Sequence, residues 1–311
     1  MRGRGGAAVA ICALALCSLL AAFSAATFTD TVQNPQSVSA VPDFVAPTAG
    51  ASVIAKSQGG VAGYVKAGGT YYVYANVTDS GNPASGIASV KADVSAITSG
   101  KTAETLSAGS YAVGGVSYNY RSAQLTATGN LKAGSKSYTL TLADVAGNTS
   151  TPSFSVTIDN GPFAGANFST ANGSGTQGKP EAGDTVTFTY DDVPDPASIV
   201  SGWSGSAATA VSVSIANNGS GTILTVAGAA LGSVDLQGEY VIQGKTSTFI
   251  ASSMSLSGSA LTITLGSDSS GNAKSETGKN APVWTPSSSA YDRAGNVSST
   301  AGVTGAKGKQ F

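Results

Sequence analysis

From Tyr71 to Thr78 the chain alternates, with Tyr71, Val73, Ala75 and Val77 on one parity and Tyr72, Tyr74, Asn76 and Thr78 on the other. Period 2 of this kind predicts a strand with one face on a core and one in water. The same alternation recurs in Ala88–Val94, in Ser137–Leu142 and in Ser153–Ile158. Beyond residue 160 it returns around Val186, Phe188 and Tyr190, around Val211, Val213 and Ile215, and around Leu261, Ile263 and Leu265. No segment sustains a 3.6-residue period, and only DPASIVSGW, residues 195–203, is expected to form a short turn of helix. Residues 131–158 predict a hairpin, because two alternating strands flank the connection DVAGN. Within it, Leu131, Gly134 and Tyr138 carry the spacing of a tyrosine corner, where the hydroxyl bonds back to the backbone.

The DxAGN run occurs twice, at Asp144–Asn148 and Asp292–Asn296. Gly147 and Gly295 are expected at positive φ, and Asn148 and Asn296 in or near the left-handed region. Asp144 and Asp292 would accept backbone N–H bonds in these structural turns. Each run sits late in its half of the chain, so duplication of a β-sandwich domain accounts for the repetition without chemistry. IDNGPFAG, residues 158–165, marks the boundary. The expected organisation is a signal peptide over 1–26, an extended arm over 27–46, one β-sandwich over 47–160 and a second over 161–311.

The N-terminus changes the compartment. MRGRGG precedes the apolar run AAVAICALALCSLLAAFSAA, which exits through small residues, and this order predicts a cleaved export signal. Left uncleaved, it would be the chain's contact with a membrane. Both cysteines, Cys12 and Cys17, lie inside it, so the mature chain must be stable through its cores alone.

On these residues the chain resembles a known group. LLAAFSAATFTDTVQNP and SAVPDFVAPT are similar to the export segment of actinobacterial proteins with a SipW-dependent-type signal peptide. YVYANVTDSGNPASGIASVKADVS and YTLTLADVAGNTSTPSFSVTIDN resemble bacterial Ig-like domains, and VWTPSSSAYDRAGN a second such module. The resemblance implies an all-β fold of two tandem Ig-like sandwiches, export, and a secreted or cell-surface structural or adhesive role. Cell wall, polysaccharide or other surface proteins would be the partners.

Composition then limits chemistry. There is no histidine, which removes Ser-His-Asp and Cys-His nucleophiles and imidazole metal sites. No nucleophile elbow or phosphate loop is present. The expectation is therefore a non-enzyme with no catalytic or cofactor-binding residue. Net charge is −1 with no basic cluster, which argues against nucleic acid. Calcium needs only oxygen ligands. Its candidates are Asp79, Asp144, Asp159 and Asn160 converging at one end of the first domain, and Asp191, Asp192 and Asp195 in the second. Tyr71, Tyr72, Tyr74, Tyr111, Tyr118 and Tyr120 offer rings for sugars, or cross-strand pairs that stabilise a sheet. Trp203 and Trp284 are expected in the second core. Two further readings stay open. One is a filament subunit whose 27–46 arm adds as a strand to a neighbour. The other is a carbohydrate-binding or carbohydrate-active protein using the Asp191–Asp195 cluster.

Overall fold

The computed structural model describes residues 43–311. The expected signal peptide and all of the arm before Asp43 lie outside the described residues. Two ten-stranded sheets account for almost all regular structure, so the described chain is all-β. Among the described residues no helix is long and apolar enough to cross a membrane.

The first unit folds in two layers. One holds β1 (Thr48–Lys56), β3 (Thr70–Thr78), β6 (Val116–Ser122) and β5 (Glu104–Val113). The other holds β4 (Ile87–Asp93), β8 (Gly134–Asp144), β10 (Ser153–Ile158) and the short β2 (Tyr64–Val65). Strand β5 joins them. Its first residues pair with β4 at Lys91–Ala92, and the rest runs along β6. The alternating apolar set faces inward: Tyr71, Val73, Val90, Ala92, Leu140, Leu142, Val156 and Ile158 form one buried core.

The second unit runs from β11 (Gly165–Ala171) through β12 (Thr185–Tyr190), β17 (Ala260–Thr264), β16 (Thr246–Ser257) and β13 (Thr209–Asn217). It continues through β14 (Thr222–Ala227) and β15 (Ser233–Asp235) to β19 (Val283–Thr285) and β20 (Val303–Thr304). Phe168, Phe188, Tyr190, Val213, Ile263 and Trp284 fill its core. Trp284 is fully buried and donates to the Leu231 carbonyl at 2.6 Å, while Trp203 closes the core edge and donates to the Ala207 carbonyl at 2.7 Å. A buried indole N–H needs such a partner. Among the described residues the one helix, α1 (Pro196–Ile199), is short because Asp195 caps it and Val200 returns to extended backbone.

The tyrosine-corner expectation is corrected. The Tyr138 hydroxyl meets the Ser52 hydroxyl at 3.0 Å, and Ser52 in turn donates to the Tyr74 carbonyl. The ring thus ties the two layers together rather than bonding back to its own loop.

Three buried phenols make the fold sensitive to alkali. Burial pushes the Tyr71 hydroxyl up to about 12 and those of Tyr138 and Tyr190 higher still. In the unfolded chain each loses its proton near 10, so this stability is complete below that pH and is lost as pH rises above it. Denaturant unfolding followed by circular dichroism is expected to fall by about 1.4 kcal/mol per pH unit for each phenol still protonated in the fold. Equal stability at pH 9 and pH 11 would contradict this assignment.

Candidate metal centre

Each DxAGN run makes the same turn. Gly147 has φ of 93° and Gly295 of 92°, values that cost any residue with a Cβ. The Asn148 amide donates to Asp144 Oδ1 at 2.7 Å, and its side chain donates to Asp144 Oδ2 at 2.8 Å. In the second turn Asp292 Oδ1 accepts from Ala294, Gly295 and Asn296 at 2.7–2.8 Å, and Asn296 Nδ2 donates to Oδ2 at 2.7 Å. Neither asparagine occupies the left-handed region, which corrects that expectation. Both keep negative φ and use the side chain instead, reaching the turn aspartate and one further carbonyl.

That carbonyl belongs to the segment entering each unit. Asn148 Nδ2 donates to the Asp43 carbonyl at 3.2 Å, and Asn296 Nδ2 to the Asp159 carbonyl at 3.1 Å. The turn therefore holds an incoming aspartate beside its own. A third carboxylate arrives from the loop after the second long strand, Asp79 after β3 and Asp192 after β12. The result is two triads, Asp43–Asp79–Asp144 and Asp159–Asp192–Asp292, whose nearest oxygens all lie within 4.8 Å of one another. Alanine at Gly147 or Gly295 is expected to cost about 1–2 kcal/mol, from backbone strain alone. The Gly147 position opens on free space, and a Cβ at Gly295 meets only the Lys56 stem at 3.4 Å. Thermal melts of the two variants check this, and an unchanged midpoint in both would refute it.

The grouping expected from the sequence is only partly met. Asp79 and Asp144 do come together, but Asp159 joins the second unit's triad, because the linker carrying it enters that unit. Asn160 stays with the first unit, where its side chain binds the Ala67 amide and the Leu131 carbonyl. Asp191, Asp192 and Asp195 do not converge. Asp191 accepts the Ala164 amide, Asp192 faces its triad, and Asp195 is buried as helix cap and as partner of Lys56. Alternation and crowding on a turn send neighbouring carboxylates in different directions. Asp43 stands outside the candidates that the sequence offers, and the sequence marks Asp292 only as a turn residue. Their shared signal was that VPDF and TIDN each precede the first strand of a unit.

The oxygen sets suit a hard cation, which binds carboxylates at about 2.3–2.6 Å. Asp79 Oδ1 is a buried acceptor with no protein donor. Asp159 is pushed above its usual value, first by burial and then by Asp292 and Asp192 beside it. Both features mark places where carboxylates are gathered, and burial leaves Asp79 Oδ1 without a donor. Asp43 differs, since the Val45 and Ser85 amides lower its pKa and keep it ionised. A side chain at Gly81 would fall on the Asp43 carboxylate, so glycine there lets the loop close over it.

The two triads differ in their surroundings. Arg293 reaches Asp192 at 3.7 Å, donates to the Tyr64 hydroxyl at 3.0 Å and stacks 4.2 Å above the Tyr64 ring. Val145 holds the equivalent place in the first turn and is exposed. Among the described residues no lysine or arginine pairs with Asp43, Asp79 or Asp144. The first triad is thus the more anionic of the two.

Compared with known proteins, the chain matches no family model and no curated relative.

Proposed function

We propose that this chain is an exported, non-enzymatic surface or extracellular protein, made of two Ig-like modules in tandem, that acts as a calcium-stiffened spacer or adhesin. The duplicated triad carries the reading. Each takes one carboxylate from the entering segment, one from a strand-end loop and one from the DxAGN turn. A divalent cation held there ties the entry of a module to its body, and the second site lies where the first module passes into the second. That is the place at which a spacer gains stiffness.

The export-type N-terminus and the low charge, 11% of residues, support a role outside the cytosol. Asp191 accepts a backbone amide and Asp195 caps a helix, so the Asp191–Asp195 stretch gives glycan cleavage little support. Calcium titration of chelated protein by calorimetry tests the proposal. Two bound ions per chain are expected, with magnesium binding far less tightly because it demands near-octahedral geometry and holds its water. Recovery of the full-length chain in the cytosol, or no calcium uptake at millimolar concentration, would refute it.

A further inference from the structure

The outer face of a two-layered β unit normally carries polar side chains. On the β1–β3–β6–β5 layer it carries tyrosines. Tyr74 lies 5.6 Å from Tyr118 and 6.5 Å from Tyr111, ring centre to ring centre, and Tyr72 lies 6.1 Å from Tyr74. Together with Ala55 and Val113 they form a cluster separate from the core beneath. The irregularity at Asn119 makes this arrangement. Its side chain takes up both the N–H and the C=O of Val77 in place of a regular ladder, at 2.9 and 2.8 Å. The parity of β6 shifts there, and Tyr118 shares a face with Arg121.

Arg121 sits among these rings. Its guanidinium carbon is 4.5 Å from the Tyr72 ring centre and 4.4 Å from that of Tyr111. A guanidinium stacked in this way is fixed in orientation before any ligand arrives. It makes no ion pair with any described residue. Burial pushes the Tyr74 hydroxyl up, and Arg121 beside it opposes that push. Beside the cluster, Val53, Val113, Tyr118 and Trp203 line a groove of about 530 Å³ between the two units. That volume is in the range of ligand sites.

We propose that this face binds an acidic polysaccharide, with sugar rings lying on Tyr72 and Tyr111, a uronate carboxylate on the Arg121 fork, and the polymer continuing toward the groove. The proposal supplies a partner for the adhesive part of the function above and rests on that part, not on the calcium sites. Ring faces suit the C–H face of a sugar, and a planar fork suits a carboxylate. A single cation is too little for a nucleic-acid backbone. A peptide would more naturally add to a sheet edge than lie across a sheet face.

Titration calorimetry in chelator-containing buffer tests this, so that failure of the calcium reading leaves the result untouched. The probes are tetragalacturonate, neutral galactotetraose, inorganic phosphate and a hexaglutamate peptide. Tetragalacturonate is expected to bind at least about tenfold more tightly than the other three, the span of a charge-assisted hydrogen bond added to stacking. Arg121→Ala and Tyr72→Ala should each lose about tenfold or more, and Arg121→Lys, which keeps the charge without the fork, should stay weakened. Melting curves identify any variant that fails to fold, and Arg121→Lys then decides. No heat with tetragalacturonate, equal affinity for phosphate or hexaglutamate, or unchanged affinity in a folded Arg121 variant would overturn the proposal.

Discussion

Adding calcium to the chelated protein is expected to raise its melting temperature by about 8 °C or more. A ligand that binds only the folded state stabilises it by roughly 2.7 kcal/mol at a hundredfold excess over its Kd, and a unit of this size melts about 3 °C higher per kcal/mol. Asp79→Asn is the diagnostic variant. Its Oδ1 has no protein donor to lose, and its Oδ2 accepts only the Gly86 amide at 2.7 Å, a bond that an asparagine oxygen keeps. It should abolish the calcium gain of the first unit while leaving the chelated protein nearly unchanged. Asp292→Asn is less clean. An amide there would set two NH2 groups against each other at Asn296 and lower stability with or without metal. The first triad should bind more tightly, since Arg293 and Lys56 offset charge only at the second.

The pH dependence has a definite sign. Asp159 is raised in the fold, so its stabilising contribution is present below the ordinary carboxylate value of 3.8 and is lost as pH rises through its raised value. Without metal, neutral pH therefore leaves Asp159 ionised beside Asp192 and Asp292, an arrangement that Arg293 and Lys56 only partly offset. Calcium relieves that crowding there, and protons displace the ion as pH falls. The calcium increment in melting temperature should shrink steadily from pH 7 toward pH 4. Identical melts with calcium and with chelator at pH 7 would end the metal reading for both triads.

Much of the strand set was legible because half-buried strands write their burial into alternation. β10, β12 and the Ser137–Leu142 stretch of β8 carry large apolar residues on one parity and small polar residues on the other, and β3 carries Tyr71, Val73, Ala75 and Val77 on its inward parity. Strand β5 was not legible. Its middle, Ser107–Ser110, is exposed and built of Ser, Ala and Gly, so neither face announces a core. The candidate site was half legible for a different reason. DxAGN states its own backbone conformation locally, through a glycine and a carboxylate that acts within four residues. Asp43 and Asp159 contribute by folding back from linkers, and distance along the chain carries no trace of that. Asp195 misled because a buried helix cap and an exposed ligand use the same residue type. Only its partner, Lys56, distinguishes them, and Lys56 stands in an unremarkable AKSQGG run.

That pair holds the two units against each other, and breaking it should be the most damaging single change. Lys56 Nζ bonds the Asp195 carboxylate and donates to the Arg293 carbonyl at 2.8 Å, with both side chains almost wholly buried. Asp195 also accepts the Val61 amide at 3.0 Å and the Ala197 amide at 3.0 Å. Burial pulls the Lys56 pKa below its usual value even though Asp195 and Asp292 pull it up, so dehydration is the larger effect here. Lys56→Met removes the cation but leaves a dry carboxylate facing no counter-charge, which costs about 3–5 kcal/mol. Because Lys56 belongs to β1 and Asp195 to the second unit, the loss falls on their coupling. Calorimetry is expected to resolve two transitions where the wild type gives one. Lys66 is half-buried and donates to the Gly295 carbonyl at 2.7 Å, and it makes no ion pair with Asp195 to substitute for that of Lys56. Adding Asp195→Asn to Lys56→Met should recover most of the loss, since asparagine caps a helix nearly as well as aspartate and carries no charge to strand. A double-mutant cycle reads the difference directly. If Lys56→Met costs under about 1 kcal/mol, the value of a surface pair, the two units are held together by something other than this contact.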